Sequence, residues 1–245
     1  MSSARPDELK ADEATHTVLV TGAELVEEAR QLLAASGVRA IYANGYASSA
    51  DLAELARREA IDGLLVRQGK IDAGVIEASP RLRVIAKHGS GVDNIDLDTA
   101  AARGVPVLRA LAANAQSVAE LAITLTVTLM KDVGRLDAAV KRGEWPKTSY
   151  VGRDLGGAVF GIVGFGEIGR RTAALAKGLG MTPLAFDPVA PIGLAADDTD
   201  VVRDLDEVLR RADVVSLHCP LTDETHHLMN AERLARMRPG AFLVN

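Results

Sequence analysis

A chain of 245 residues, 48% of them apolar and 25% charged, is long enough for two globular domains, and its abundant small aliphatics suit strands covered on both faces by helices. A net charge of −5 with no long Lys/Arg block argues against non-specific binding to nucleic acid or anionic membrane, and the longest uncharged apolar run, 121–130, is too short to cross a bilayer. One cysteine, Cys219, excludes an internal disulfide and fits a reducing cytoplasm.

Residues 1–17 carry charge but no apolar core, and are expected to form a disordered tail without a signal-peptide pattern. Residues 17–21 read as a buried strand. Over 24–36, Leu25, Ala29, Leu32 and Leu33 share a helix face, and Gly37 ends the helix. A strand at 38–43, a helix at 49–59 capped by Ser48 or Ser49, a strand at 63–66, a helix at 71–78 and a strand at 82–86 follow. This alternation implies a parallel, flavodoxin-like sheet over 18–110.

The strand at 82–86 runs into Lys87-His88-Gly89-Ser90-Gly91-Val92-Asp93-Asn94-Ile95-Asp96. Two glycines flanking a serine at the carboxyl end of a strand can turn backbone N–H groups toward an anion; a plain turn before a helix starting near Asp98 is the equal alternative. After a strand at 105–108 the texture changes, and 109–116 has no strand pattern. Ser117 with Glu120 three residues on predicts a capping box for a long, largely buried helix reaching about Asp132, so the domain boundary is set at 110/111. A shorter helix at 135–142 ends at Gly143. The only tryptophan, Trp145 beside Pro146, reads as a core plug in preference to a subunit contact.

Residues 158–187 carry the densest signal. A strand at 158–163 meets Gly164-Phe165-Gly166-Glu167-Ile168-Gly169, a G-x-G-x-x-G turn, and a helix at 168–179 leads to a second strand ending at Asp187. Gly164 permits the tight turn, Gly166 lets a pyrophosphate approach the backbone, and Gly169 lets the helix lie close on the strand. The diphosphate would sit on free N–H groups at the positive end of the helix dipole. Asp187 is placed for both ribose hydroxyls, and Asp187-Pro188-Val189, without a following Arg or Lys, selects NAD over NADP. Beyond it, 188–200 reads as a loop, 205–211 as a helix and 213–217 as a strand ending in His218-Cys219-Pro220-Leu221-Thr222. A helix at 231–237, a turn at Pro239-Gly240 and a strand at 241–244 complete the chain.

Together, Gly89-Ser90-Gly91-Val92-Asp93-Asn94-Ile95-Asp96, Ser117-Val118-Ala119-Glu120, Gly164 to Gly169 with Asp187-Pro188, His218-Cys219-Pro220-Leu221-Thr222 and the final Pro239-Gly240-Ala241-Phe242-Leu243-Val244-Asn245 resemble the D-isomer-specific 2-hydroxyacid dehydrogenase family. Its members include phosphoglycerate, glycerate, D-lactate and formate dehydrogenases. The resemblance implies a Rossmann-type doubly wound domain over 111–245, incomplete at its C-terminus, beside the flavodoxin-like substrate domain, with a hinge near 109–117. It implies an NAD-dependent oxidoreductase that interconverts a D-2-hydroxy acid and its 2-oxo acid, as a cytoplasmic homodimer formed through the nucleotide domain. Ser90, Gly91 and Val92 would meet the substrate carboxylate, Ser90 also the nicotinamide end of NAD. Glu167 and Ile168 would lie on the pyrophosphate, Asp187 on the ribose, and His218, Cys219 and Pro220 along the cofactor. Arg67 and Lys87 stand where phosphoglycerate dehydrogenase-like members place cations for an acidic substrate; a solvated surface arginine is the competing reading. No metal is implied.

Two departures stand out. Leu111-Ala112-Ala113-Asn114 replaces the frequent Pro-Gly-Ala-Asn. The family's catalytic Arg, Glu and His fall after the position of Asn245, so no catalytic residue is assigned within 1–245, and the span is expected to be an inactive piece of a longer enzyme. An NAD-binding interaction module, a pseudo-enzyme or corepressor, is the alternative.

Overall fold

The computed structural model describes residues 14–195 and 197–245. The disordered-tail expectation for 1–13 lies outside the described residues. The chain divides into two compact units, Met1–Leu111 and Ala112–Asn245.

The first unit runs β1 (His16–Thr21), α1 (Glu27–Ala35), β2 (Val38–Tyr42), α2 (Ser49–Arg58), β3 (Gly63–Val66), α3 (Ala73–Glu77), β4 (Val84–Lys87), α4 (Leu97–Ala102) and β5 (Val107–Arg109). The sheet order is β2-β1-β3-β4-β5, all parallel, the flavodoxin-like arrangement. Leu19, Leu64, Val66 and Ile85 from the strands pack with Leu52, Ala56, Val75 and Ile76 from α2 and α3 in one core. Ser48 and Asp51 form a reciprocal capping box that starts α2. Buried Asp62 accepts the Thr17 amide at 2.8 Å and three bonds from Nε and Nη2 of Arg81, tying β1 to the residues around β3 and β4. Burial pushes the Asp62 carboxyl up, but the Thr17 amide and Arg81 outweigh it and hold it below the usual range.

The predicted helix over 24–36 is shorter than its pattern. It begins at Glu27, with Val26 at its N-cap offering no side-chain acceptor, and Leu32 is exposed while Leu33 and Ala29 are half-buried. β1 starts at His16, inside the span expected to be tail.

The second unit runs α5 (Ala115–Met130), α6 (Val133–Lys141), β6 (Val159–Val163), α7 (Glu167–Gly178), β7 (Thr182–Phe186), β8 (Gly193–Leu194), β9 (Asp200–Val202), α8 (Leu205–Arg211), β10 (Val214–Leu217), α9 (Ala231–Arg236) and β11 (Phe242–Val244). The order is β11-β10-β6-β7-β9-β8, parallel except for β8, which pairs antiparallel with β9. This is a Rossmann-type doubly wound sheet, with β6 between β7 and β10. Small residues let helices approach: Ala115, Ala119 and Ala122 of α5 are buried, as are Gly169, Ala173 and Ala176 of α7, and the two helices pack together. On β6, a Cβ at Gly161 would come within 2.7 Å of Val208 and 2.8 Å of Ala212, so glycine is what lets α8 seat there.

Three expectations are corrected. The Ser117/Glu120 capping box is absent, because α5 begins two residues earlier, at Ala115, and Glu120 instead accepts from Gln116. The loop read over 188–200 contains β8 and the start of β9, whose two- and three-residue runs are too short to show periodicity among Pro and Asp. Trp145 is 78% exposed and plugs no core. Its segment is held instead by Tyr150, whose hydroxyl donates to the Lys131 carbonyl at the end of α5. Among the described residues, no helix is long and apolar enough to cross a membrane.

Candidate cofactor site

The carboxyl ends of β10, β6 and β7 converge at the glycine turn. Gly164 has φ +96°, and a Cβ there would come within 2.7 Å of the His218 carbonyl carbon and the Cys219 amide nitrogen, so both conformation and crowding require glycine. A Cβ at Gly169 would overlap the Gly164 carbonyl oxygen, which sets how closely α7 lies on β6. A Cβ at Gly166 would meet nothing within 4 Å. Gly166 is the N-cap of α7 with no side-chain bond, so the first amides of the 12-residue helix, at Glu167 and Ile168, begin beside open space without intrahelical acceptors. A diphosphate fits that cradle in charge and in room. The Glu167 carboxylate lies 3.5 Å from Arg171 along the same helix, which offsets its charge near the turn.

Asp187 follows β7. Its Oδ2 accepts the Phe165 amide at 2.8 Å, and Oδ1 accepts the amides of Val189 and Ala190 at 2.9 and 3.0 Å. Burial pushes this carboxyl up; the Val189, Phe165 and Ala190 amides, with the charge of Arg170, outweigh burial and hold it below its usual range. Arg170 stacks over the Phe165 ring at 4.4 Å, and Arg203 donates to the Pro188 carbonyl at 2.7 Å. None of these contacts with Phe165, Arg170 and Arg203 was legible in the motif, because each depends on where the β7 end meets the turn.

After β10, His218 donates its amide to Val163 and its Nε2 lies 3.0 Å from Oγ of the buried Ser216. Burial pulls its imidazole down to about 4, so it is neutral at physiological pH. Burial raises the Cys219 thiol, which Asp187 also disfavours as a thiolate, and Pro220 is exposed beside it.

The remaining candidates sit in the first unit at neighbouring strand ends, where Val66 pairs with Lys87 and Lys87 with Arg109. Arg67 spends Nη1 on the carbonyls of Ala23 and Glu24, at 2.7 and 2.8 Å, closing the loop after β1. Lys87 donates to Asn94 Oδ1 at 3.0 Å, and Asn94 in turn donates to the Gly69 carbonyl. Gly89 has φ +130°, Gly91 is exposed, and Ser90 and Val92 are half-buried; the amides of Ser90 and Gly91 have no acceptor among the described residues. Arg109, which the pattern did not single out, reaches the Ser90 carbonyl at 3.4 Å. Among the described residues, no group of three His, Cys, Asp or Glu side chains could hold a metal ion.

A doubly wound sheet whose central strand ends in a glycine turn with open helix amides defines a nucleotide-binding α/β protein. The family described as D-isomer specific 2-hydroxyacid dehydrogenase, NAD binding domain, matches residues 123–245. The chain is 39% identical over 189 residues to a hydroxypyruvate reductase of Thermotoga maritima, covering 76% of this chain and 60% of that one. It is 38% identical over 186 residues to a D-3-phosphoglycerate dehydrogenase of Methanocaldococcus jannaschii, covering 75% and 36%. The crystal structure of NAD+-bound 3-phosphoglycerate dehydrogenase of Entamoeba histolytica superposes with a TM-score of 0.78 at 27% identity, over 94% of this chain and 71% of that one. The chain belongs to the D-isomer-specific 2-hydroxyacid dehydrogenase family, and its cofactor is NAD. It spans about three fifths or less of the length of these two sequence relatives.

Proposed function

We propose that this chain provides the NAD-binding half, and part of the substrate site, of a dehydrogenase that interconverts a D-2-hydroxy acid and its 2-oxo acid, with hydroxypyruvate- or phosphoglycerate-like substrates. The observation that carries this reading is the unobstructed backbone at Gly166 beside the free amides of Glu167 and Ile168, in a chain of this family. The two sequence relatives are named hydroxypyruvate reductase and D-3-phosphoglycerate dehydrogenase. Those names favour an enzyme, and the interaction-module alternative receives no support from them.

NAD, when bound, supplies the hydride acceptor. The chain's own residues bind and orient it. Gly166, Glu167 and Ile168 take the diphosphate through backbone amides, while Gly164 and Gly169 set the tight turn and the close helix that present them. Asp187 accepts from the ribose, and His218, Cys219 and Pro220 form an uncharged wall beside the turn. Ser90, Gly91 and Val92 offer amides to the substrate carboxylate, and Lys87 and Arg67 add positive charge. His218, neutral and bonded to Ser216, is a wall residue and moves no proton in this scheme.

The first unit is read as the substrate domain and the second as the nucleotide domain, in a cytoplasmic homodimer. Support for the dimer comes from apolar side chains left open on the second unit: Leu121, Leu125 and Leu129 at four-residue spacing on α5, with Trp145 and Val151 beyond α6.

The test is NADH oxidation by the full-length gene product with glyoxylate, hydroxypyruvate and phosphohydroxypyruvate, and turnover of at least one is expected. Absence of turnover across a broad 2-oxo-acid panel would refute the activity.

A further inference from the structure

We propose that Asp187 is a positioning residue for the diphosphate turn, holding Phe165 in place before any cofactor arrives, in addition to the ribose contact that the reading above gives it. This inference rests on that reading only for the second of the two roles.

The turn is three residues long, Gly164-Phe165-Gly166, and its only side chain is already immobilised. The Phe165 ring is 2% exposed, with the Arg170 guanidinium 4.4 Å above it. The backbone is fixed as well, from one source: the Gly164 amide donates to the Phe186 carbonyl at 2.8 Å and the Phe165 amide to Asp187 Oδ2 at 2.8 Å. The end of β7 therefore holds the first half of the turn, while the amides that begin α7 stay free for an anion. Asp187 is itself anchored on its other side by Val189 and Ala190. A carboxylate offers about four acceptor positions, and three are taken. The one remaining is on Oδ2, the atom that also holds Phe165. One oxygen thus links sugar recognition to the shape of the phosphate cradle.

A residue that only read the ribose would, when truncated, lose NAD and gain NADP, because the carboxylate opposing a 2′-phosphate is gone. A residue that also shapes the turn weakens both cofactors. The experiment uses the 245-residue chain and its Asp187→Ala variant, with native-state amide exchange measured without ligand and calorimetric titration of NADH and NADPH. Exchange at Phe165 is expected to quicken at least tenfold while β10 amides hold their rates, and affinity for both cofactors to fall at least fivefold. Unchanged exchange at Phe165, or a gain in NADPH affinity as NADH is lost, overturns the proposal.

If Asp187→Ala does not fold, Asp187→Asn answers the same question. Its single carbonyl oxygen cannot serve both sides, so exchange must rise at Phe165 or at Val189 and Ala190, and unchanged rates at all three overturn the idea. Failure of the wild-type chain to bind NADH would count against the cofactor site, and leaves the ligand-free exchange result to decide this inference on its own.

Discussion

At the scale of single residues, the site depends on atoms that are missing as much as on those present. Gly169 has no room for a methyl group because the Gly164 carbonyl oxygen occupies that space, and backbone on both sides cannot yield cheaply. Gly169→Ala is expected to cost about 1–3 kcal/mol in urea unfolding and to weaken NADH binding measured by fluorescence titration. His218 makes a pH-dependent contribution of definite sign. Its folded value of about 4 lies below the ordinary value near 6.5, so the unfolded chain takes up the proton first as pH falls. The stability it supports is complete above about pH 6.5 and is lost progressively down to about pH 4. Between pH 7.5 and 5, wild type should lose about 1–2 kcal/mol more than His218→Asn, allowing for partial solvent screening; equal losses in denaturant midpoints would contradict the burial argument.

At the scale of elements, local chemistry explains what the sequence made legible. Ser48 precedes α2 with Asp51 three residues on, and the reciprocal cap forms as that spacing requires. Ser48→Ala should cost about 1 kcal/mol in thermal or urea unfolding. The same logic fails at α5, where Ser117 and Glu120 have the right spacing but Ala115 has already entered the helix, so no free amide awaits the serine. The βαβ unit around Gly164 was readable because the positive φ of Gly164 and the contact of Gly169 with the Gly164 carbonyl are local constraints; the crowding of Gly164 by His218 and Cys219 was not. The bond from the Phe165 amide to Asp187 was not, because it joins residues 22 positions apart and depends on how a strand end meets the glycine turn. Arg109 was missed for a related reason. Only strand register places it beside Lys87 and within reach of the Ser90 carbonyl. β8 and β9 carry too few residues to declare a period, and β9 is recognisable only from its pairing with β7.

At the scale of the whole molecule, the chain holds separate hydrophobic cores. One is built around Leu19, Leu64 and Ile85 in the first unit; those of the second surround Phe160 and Ile162 and, on the other face of its sheet, Leu184 and Leu209. NADH bound at the glycine turn should therefore stabilise the second unit, by about 2.7 kcal/mol at a concentration of one hundred times Kd. Hydrogen exchange across 112–245 with and without NADH checks this, and protection confined to the first unit would contradict it. The exposed indole of Trp145 has a practical consequence for such work. As the only tryptophan in the chain, and already in water when folded, it will give almost no emission shift when the protein is denatured. A blue shift that grows with protein concentration would instead signal a second surface closing over it, so this one fluorophore reports on association and is nearly blind to unfolding.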